Sequence, residues 1–182
     1  MSGRGRIFAV VGPSGAGKDT LIEAARQARP DLHILRRVIT RPAEAGGEPF
    51  EGVTEAEFAA REARGEFVLT WRAHGLRYGI PQSAEAALAQ GRCVVFNGSR
   101  AMLAATAAAF SGLVVIHVTA AIPILAERLA ARGRETREDI AARLARATDD
   151  FPVGCEVRQV ENNATLEQAV RDFLAALQPE RV

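Results

Sequence analysis

The sequence has few of the residues that build metal centres or disulfide-bonded scaffolds. It contains two cysteines, Cys93 and Cys155, and three histidines that lie far apart, His33, His74 and His117. No group of these residues has the spacing of metal ligands. Two isolated cysteines in apolar or mixed surroundings are typical of reduced thiols in or near a core, and this predicts a cytoplasmic location.

The sequence also lacks an excess of either charge and any long apolar run. Its formal net charge is +1, which gives no support to a nucleic-acid or membrane-surface partner. The first apolar run, Ile7–Val11, is far too short for a signal or membrane helix. At 182 residues and 48% hydrophobic content, without a fixed repeat, the chain is expected to form one domain with a substantial core.

What the chain does have is a glycine-rich turn between a predicted strand and a predicted helix. The run Ile7–Val11 leads into Gly-Pro-Ser-Gly-Ala-Gly-Lys at residues 12–18, and Leu21–Arg26 then favours a helix. This is the arrangement of a P-loop, in which backbone N–H groups and a helix N-terminus surround phosphate while the lysine reaches the outer phosphates. The sequence therefore predicts a site for a nucleoside triphosphate. The predicted binding residues are Gly12, Pro13, Ser14, Gly15, Ala16, Gly17, Lys18, Asp19 and Thr20.

One position departs from the usual P-loop, because the sequence has Asp19 where a serine or threonine commonly binds the magnesium ion. A carboxylate beside a triphosphate is unfavourable unless a cation lies between them. Asp19 would then hold Mg²⁺ through water, with Thr20 as a spare hydroxyl. Alternatively, Asp19 faces away and is favoured only by the dipole of the first helical turn. The sequence leaves both alternatives open.

Strand and helix patterns alternate along the rest of the chain. Arg92–Phe96 and Leu113–Val118 are runs typical of strands covered on both faces of a parallel sheet. Helices are predicted over residues 100–110, 122–132, 137–148 and 166–177, and a last strand over residues 156–160. Thr165 is expected to cap the last helix. The pattern predicts an α/β three-layer P-loop domain that binds ligands at the carboxyl ends of its strands.

Two segments interrupt this alternation. Residues 41–82 are polar, glycine-rich and aromatic, and contain a predicted helix near residues 54–64 and strand-like pieces near 67–71 and 77–80. Residues 132–138 form a charged link between two helices. We predict a core of residues 1–40 and 83–182, an acceptor-binding insert at about 41–82 and a lid at about 132–138. Such parts close over substrates and exclude water.

The chain resembles the guanylate kinase family over nearly its full length. The resemblance rests on the P-loop and on Gly-Glu-Phe at residues 65–67, followed by His74-Gly75 and Tyr78-Gly79. It also rests on the lid segment from Arg128 to Leu144. The resemblance implies a guanylate-kinase-like fold and a kinase that uses ATP and Mg²⁺.

The positions that would bind guanine depart from that family. Leu69 stands where guanylate kinases use a glutamate to pair with the base, and a leucine cannot accept the ring N–H bonds. Asn97–Arg100 replaces aspartates. With Arg37–Pro42 and Ala73–Pro81, these departures resemble the ribose 1,5-bisphosphate phosphokinases, guanylate-kinase relatives of phosphonate catabolism that make 5-phosphoribosyl 1-diphosphate.

Arginine forks match phosphate oxygens, so most candidates for the acceptor's two phosphates are arginines. These candidates are Arg37, Arg41, Arg77 and Arg100, together with the hydroxyl of Tyr78, although a buried tyrosine with a satisfied hydroxyl explains that residue nearly as well. His74, in a predicted turn with Gly75, is expected to be structural or orienting.

The resemblance also assigns catalytic cations and a base contact. Arg132 and Arg143 match lid arginines that neutralise charge on the transferred phosphoryl group, beside the P-loop Lys18. Arg128 and Arg134 are weaker candidates for the same role. Asn162 occupies the family's adenine-contact region, although a simple loop before the last helix explains it about as well.

The expected reaction is transfer of the γ-phosphoryl group of ATP to the 1-phosphate of ribose 1,5-bisphosphate. No general base is predicted, because a phosphate acceptor is already ionised near neutral pH. The alternatives are a guanylate or other nucleoside monophosphate kinase and a non-catalytic guanylate-kinase-like interaction module. Such modules usually lose the P-loop lysine, and Lys18 is intact.

Overall fold

The computed structural model describes residues 5–45, 48–133, 135–145 and 150–178. The strands are β1 (Ile7–Val11), β2 (His33–Leu35), β3 (Val38–Ile39), β4 (Glu51–Gly52), β5 (Phe67–Ala73), β6 (Leu76–Pro81), β7 (Val94–Asn97), β8 (Val114–Thr119) and β9 (Glu156–Glu161). The helices are α1 (Lys18–Ala28), α2 (Glu55–Ala63), α3 (Ser83–Ala89), α4 (Leu103–Ala109), α5 (Ile122–Ala130), α6 (Arg137–Ala145) and α7 (Leu166–Ala176). Short 3₁₀ helices lie at Ala43–Ala45 and Arg100–Met102.

The main sheet has five parallel strands in the order β2-β7-β1-β8-β9. Every residue of β1 is buried, because apolar clusters cover both faces of this central strand. Phe8 and Val10 pack in one cluster with residues of α1 and α7. Ile7 and Ala9 pack in the other with residues of α3 and α4. The predicted three-layer α/β fold is thus confirmed.

A second sheet of four strands, in the order β4-β3-β6-β5, is built from the segment between β2 and α3. Strands β5 and β6 form a hairpin that turns at His74 and Gly75, with φ angles of 51° and 74°. Positive φ at both positions is typical of a two-residue turn whose twist matches the strands. The predicted turn is confirmed, and His74 is exposed at its tip.

The remaining predictions agree with the structure except at short elements. Thr165 caps α7 by accepting a hydrogen bond from Gln168 N, as predicted. The strands β2, β3 and β4 and the helix α3 were not predicted. Val38 in β3 pairs with Gly79 in β6, so the second sheet begins before residue 41, where the insert was expected to start. The predicted helix at 137–148 is described as far as Ala145, and residues 146–149 lie outside the described ranges.

Two further observations concern the whole fold. Cys93 and Cys155 are free, half-buried thiols. Within the described ranges, no helix combines the length and the apolar character needed to cross a bilayer.

Candidate active site

A cavity of about 450 Å³ lies at the carboxyl edge of β1 and β7. The P-loop follows β1 and forms one wall, and the turn after β7 forms another. Its lining residues are Gly12, Ser14, Gly15, Gly17, Lys18, Asp19, Thr20, Arg37, Arg41, Glu48, Asn97, Gly98, Ser99, Arg100 and Arg132. The cavity thus joins most of the predicted triphosphate residues to most of the predicted phosphate-binding arginines.

Two P-loop glycines combine a positive φ angle with a close neighbour at the position that a Cβ would take. Gly12 has a φ of 153°, and a Cβ there would lie 2.0 Å from the carbonyl oxygen of Val118. Gly17 has a φ of 95°, and a Cβ there would lie 2.6 Å from Nδ2 of Asn162. Side chains at either position would force strands or loops apart, so glycine alone permits this loop conformation.

Two side chains that do not line the cavity support the P-loop through hydrogen bonds to its backbone. Asn162 is buried, and its Nδ2 donates a hydrogen bond to the carbonyl oxygen of Ala16 at 2.8 Å. Arg128, from α5, donates to the carbonyl oxygens of Gly15 at 3.0 Å and of Asn162 at 3.2 Å. Asn162 does not line the described cavity, and its hydrogen bond to Ala16 supports the loop. Its contact with adenine stays a prediction. Arg128 likewise braces the loop and does not reach the cavity.

Lys18 begins α1 and folds back over the P-loop. Its Nζ donates to the carbonyl oxygens of Gly12 at 2.7 Å and Pro13 at 3.2 Å. Burial lowers the pKa of this ammonium group, while the nearby carboxylates of Asp19 and Glu48 partly oppose that effect. A phosphate anion bound in the cavity would stabilise the charged form of Lys18, which burial disfavours.

Asp19 lies in the lining of the cavity, as the first of the two alternatives requires. Its carboxylate lines the cavity and accepts a hydrogen bond from Nδ2 of Asn97 at 2.8 Å. Thr20 lies beside it at the cavity wall. Among the described residues, no group of three or more His, Cys, Asp or Glu side chains could cage a metal ion. An aspartate and a hydroxyl beside a triphosphate instead suit Mg²⁺ that keeps several waters.

Three of the predicted acceptor arginines line the cavity, and each packs against an aromatic ring. Arg37 is buried, with its guanidinium carbon 5.5 Å from the centre of the Tyr78 ring. Arg41 lies 4.5 Å from the Phe50 ring. Arg100 lies 6.0 Å from the Phe151 ring. Ring contacts of this kind restrict guanidinium groups and so prepare them for an anionic ligand.

The structure does not bring Arg77 and Tyr78 to the cavity. Arg77 pairs with Glu62 on α2 and lies over the Phe58 ring at 4.4 Å, and its other charged neighbour is Glu55. These carboxylates neutralise Arg77 on the second sheet, away from the P-loop. The Tyr78 ring stacks on Trp71, with centres 5.2 Å apart, and supports Arg37.

The lid candidates follow α5. Arg132 is exposed and lines the same cavity as the predicted acceptor arginines. Arg143 lies in α6, but its side chain is outside the described part of the structure, as is all of residue 134. Ile140 of α6 is buried against Ala126 and Leu129 of α5. The two helices that flank the linking segment in sequence therefore pack against each other.

Sequence reasoning missed Glu48, a carboxylate inside the cavity. Glu48 forms an ion pair with Arg37, and only 17% of its side chain is exposed. Burial raises the pKa of this carboxyl, although the positive charge of Arg37 opposes the rise. The residue lies in a polar, glycine-rich segment with no local motif, so no signal in the sequence singles it out.

The parallel sheet, the P-loop and the arginine-lined cavity define a P-loop kinase with a guanylate-kinase-like fold. The fold is similar to that of guanylate kinase from Anaplasma phagocytophilum, with a TM-score of 0.64 and 18% identity, covering 95% of this chain and 84% of that one. It is also similar to a gluconokinase from Sinorhizobium meliloti 1021, with a TM-score of 0.54 and 20% identity, covering 96% of this chain and 91% of that one. These likenesses concern the fold alone.

Closer relatives identify the family, although no family model matches the sequence. Ribose 1,5-bisphosphate phosphokinase PhnN of Rhizobium etli is 49% identical over 177 residues, covering 96% of this chain and 90% of that protein. The PhnN of Ruegeria sp. is 46% identical, covering 98% and 94%. The chain belongs to the ribose 1,5-bisphosphate phosphokinase family.

Some members of this family are larger than the present chain. The bifunctional ribose 1,5-bisphosphokinase-thymidine phosphorylase of Cupriavidus necator is 51% identical over 178 residues, which cover 97% of this chain. The chain spans 30% of the length of that relative.

Proposed function

We propose that the protein transfers the γ-phosphoryl group of ATP to the 1-phosphate of ribose 1,5-bisphosphate, giving 5-phosphoribosyl 1-diphosphate and ADP. In the cell it would act in the cytoplasm and in phosphonate catabolism. One observation carries the proposal: a single cavity holds a P-loop lysine and four arginines, Arg37, Arg41, Arg100 and Arg132. Two substrates that together carry five phosphate groups need such a concentration of positive charge.

The donor side of the proposal rests on the P-loop. The N–H groups of residues 14–20 and the N-terminus of α1 would bind the ATP phosphates. Lys18 would exchange its two carbonyl contacts for the outer phosphates. Asp19 and Thr20 would hold Mg²⁺ through its waters, and the ion would neutralise charge between the donor phosphates.

The acceptor side rests on Arg37, Arg41 and Arg100. All three line the same cavity as the P-loop, so an acceptor phosphate bound by them would lie in the cavity that receives the γ-phosphate. Arg77 is not part of this set, because it does not line the cavity and pairs with carboxylates of α2. We infer that residues 38–81 form the acceptor-binding insert, since Arg41 lies in it and Arg37 directly precedes it.

The residue at position 69 supports the proposal that the acceptor is a sugar and not a nucleotide base. Leu69 lies in β5 opposite Ile80 and packs against an apolar cluster of the core. A carboxylate that could pair with guanine N–H groups is therefore absent from this position. Burying those N–H groups without partners would cost about 1–3 kcal/mol each.

Catalysis in this proposal consists of positioning and charge neutralisation. The acceptor phosphate is ionised near neutral pH and needs no base to attack. Arg132, in a lid at residues 132–138, and Arg143, in α6, would close over the phosphates and neutralise the group in transfer. Closure would also exclude water, which otherwise takes the phosphoryl group.

The proposal is tested by following ADP release with two acceptors under the same conditions. Ribose 1,5-bisphosphate is expected to support turnover, and GMP to support little. Efficient GMP phosphorylation without turnover of the sugar would instead make the protein a guanylate kinase. ATP consumption with neither acceptor above the background rate would remove the kinase proposal altogether.

A further inference from the structure

Glu48 is a carboxylate that lies among the cationic side chains proposed to bind phosphate. It lines the cavity with Lys18 and pairs with Arg37, and both members of the pair are largely buried, with 17% and 8% of their side chains exposed. A buried carboxylate repels phosphate and is costly to desolvate. Its presence in a site for highly anionic substrates therefore calls for a ligand group that it can bind favourably.

The groups of a sugar bisphosphate other than phosphate are hydroxyls. A carboxylate accepts hydrogen bonds from hydroxyl groups, whereas an arginine can only donate. The described residues of the cavity offer two carboxylates, Glu48 and Asp19. Asp19 belongs to the P-loop helix and already accepts from Asn97. Glu48 belongs to the segment that carries Arg41, on the acceptor side.

We propose that Glu48 is the specificity residue of the acceptor site and accepts a hydrogen bond from the 2-hydroxyl of ribose 1,5-bisphosphate. This inference rests on the proposed function, because it assigns a role within the same acceptor site. The 2-hydroxyl is chosen because it is adjacent to the carbon that bears the reacting phosphate. Glu48 lines the same cavity as Lys18 and Asp19, the P-loop residues proposed to meet the donor phosphates.

In the ligand-free site, Glu48 and Arg37 neutralise each other. Bound substrate would replace this ion pair with contacts to each of the two residues. Without substrate, Glu48 neutralises Arg37, whose Nε is buried and has no hydrogen-bond partner among the described residues. With substrate, the guanidinium would turn to a phosphate and the carboxylate to the hydroxyl. Neither buried charge is then left without a partner, which avoids the penalty of an isolated ion.

The test compares ribose 1,5-bisphosphate with 2-deoxyribose 1,5-bisphosphate in the wild-type protein and in Glu48→Ala. The wild type is expected to favour ribose by roughly 10- to 150-fold in kcat/KM, the range for a hydrogen bond to a charged group. In Glu48→Ala this ratio is expected to fall to near one, chiefly through loss of activity on ribose. Any general damage to Arg37 affects both sugars and cancels in the ratio.

Two further variants keep the test decisive. Glu48→Gln preserves volume and one acceptor oxygen, so an intermediate ratio is expected even if the alanine variant fails to fold. Glu44→Gln removes an exposed carboxylate of the same segment and is expected to leave the ratio at the wild-type value. Melting temperature and ATP affinity, measured on all variants, establish that each is folded.

The outcomes separate this inference from the proposed function. An active wild type that does not discriminate between the two sugars overturns the role of Glu48 and leaves the kinase activity intact. A ratio unchanged in both Glu48 variants does the same, and an accompanying rise in the Mg²⁺ requirement with both sugars would make Glu48 a metal ligand. A wild type inactive on ribose 1,5-bisphosphate overturns the proposed function and this inference together.

Discussion

Asn97 donates a hydrogen bond from Nδ2 to Oδ1 of Asp19 across 2.8 Å, and this bond ties the end of β7 to the first turn of α1. The bond turns the Asp19 carboxylate toward the cavity, where the outer phosphates of a bound triphosphate would lie. A negative charge in that position is tolerated only with a cation between it and the phosphates. The bond therefore links an unusual P-loop residue to the proposed use of Mg²⁺.

Asp19→Asn is expected to raise the Mg²⁺ concentration needed for half-maximal activity by roughly tenfold or more, because a neutral amide holds the waters of the ion less well. The measurement is the rate at a series of Mg²⁺ concentrations with ATP fixed. Glu23→Gln is the control, since Glu23 lies in the same helix but pairs with Arg26 on the surface. Equal Mg²⁺ requirements in wild type and Asp19→Asn would take Asp19 out of the metal site.

Lys18→Ala is expected to abolish turnover while the protein remains folded. The lysine contributes charge to the phosphates and little packing, since its Nζ contacts only P-loop carbonyl groups among the described residues. Activity and melting temperature in the absence of ATP are the two measurements. Near-wild-type kcat in a folded Lys18→Ala protein would exclude the P-loop from the mechanism.

Arg132→Ala is expected to lower kcat by roughly a hundredfold or more and to change ATP affinity much less. A lid arginine meets the phosphates mainly in the closed state, where charge develops, so its loss affects the transition state more than binding. Steady-state kinetics and a direct ATP titration separate the two effects. Arg143→Ala is expected to behave in the same way.

The matched control for the lid is Arg137→Ala. Arg137 is exposed at the start of α6 and lies 3.5 Å from Glu127, outside the cavity lining. Its loss is expected to leave kcat within about twofold, because an exposed ion pair contributes little. A change confined to the KM for ATP in Arg132→Ala, or an equal fall in kcat in Arg137→Ala, would contradict the lid assignment.

Asn162→Ala is expected to destabilise the protein by about 1–3 kcal/mol and to weaken ATP binding, because it leaves the buried amide contact with Ala16 unmade. Asn163→Ala is the comparison. It removes a 2.6 Å bond to Ala121 N but no contact with the P-loop, so it should lower stability without changing ATP affinity. Thermal unfolding and ATP titration of both variants provide the measurements. If ATP affinity fell equally in the two variants, the bracing role of Asn162 would be lost.

Local patterns account for the parts of the fold that the sequence predicted. The P-loop and the buried strands β1, β7 and β8 are continuous in sequence, and their residue types alone specify strand, turn and helix. The strands β2 and β3 were missed because they have three and two residues, too few for a period to show. They become strands by pairing with β7 and β6, which are distant in the chain.

The same distinction applies to the candidate site. Arg100 follows β7 at the carboxyl edge of the main sheet, so the fold class alone predicts that it lies near the P-loop. Arg77 could not be placed, because the carboxylates that neutralise it come from α2, and that contact depends on tertiary packing. Glu48 escaped notice for the converse reason, since only the folded chain brings it to Arg37 inside the cavity.

The most direct test of the account is the identity of the product, determined by ³¹P NMR after incubation with ATP, Mg²⁺ and ribose 1,5-bisphosphate. The account predicts coupled signals from a new diphosphate on C1, which the substrate lacks, together with those of ADP. Formation of the sugar diphosphate should stop in the Lys18→Ala variant. Release of inorganic phosphate from ATP without a coupled sugar diphosphate, or efficient conversion of GMP to GDP in place of the sugar reaction, would contradict the account.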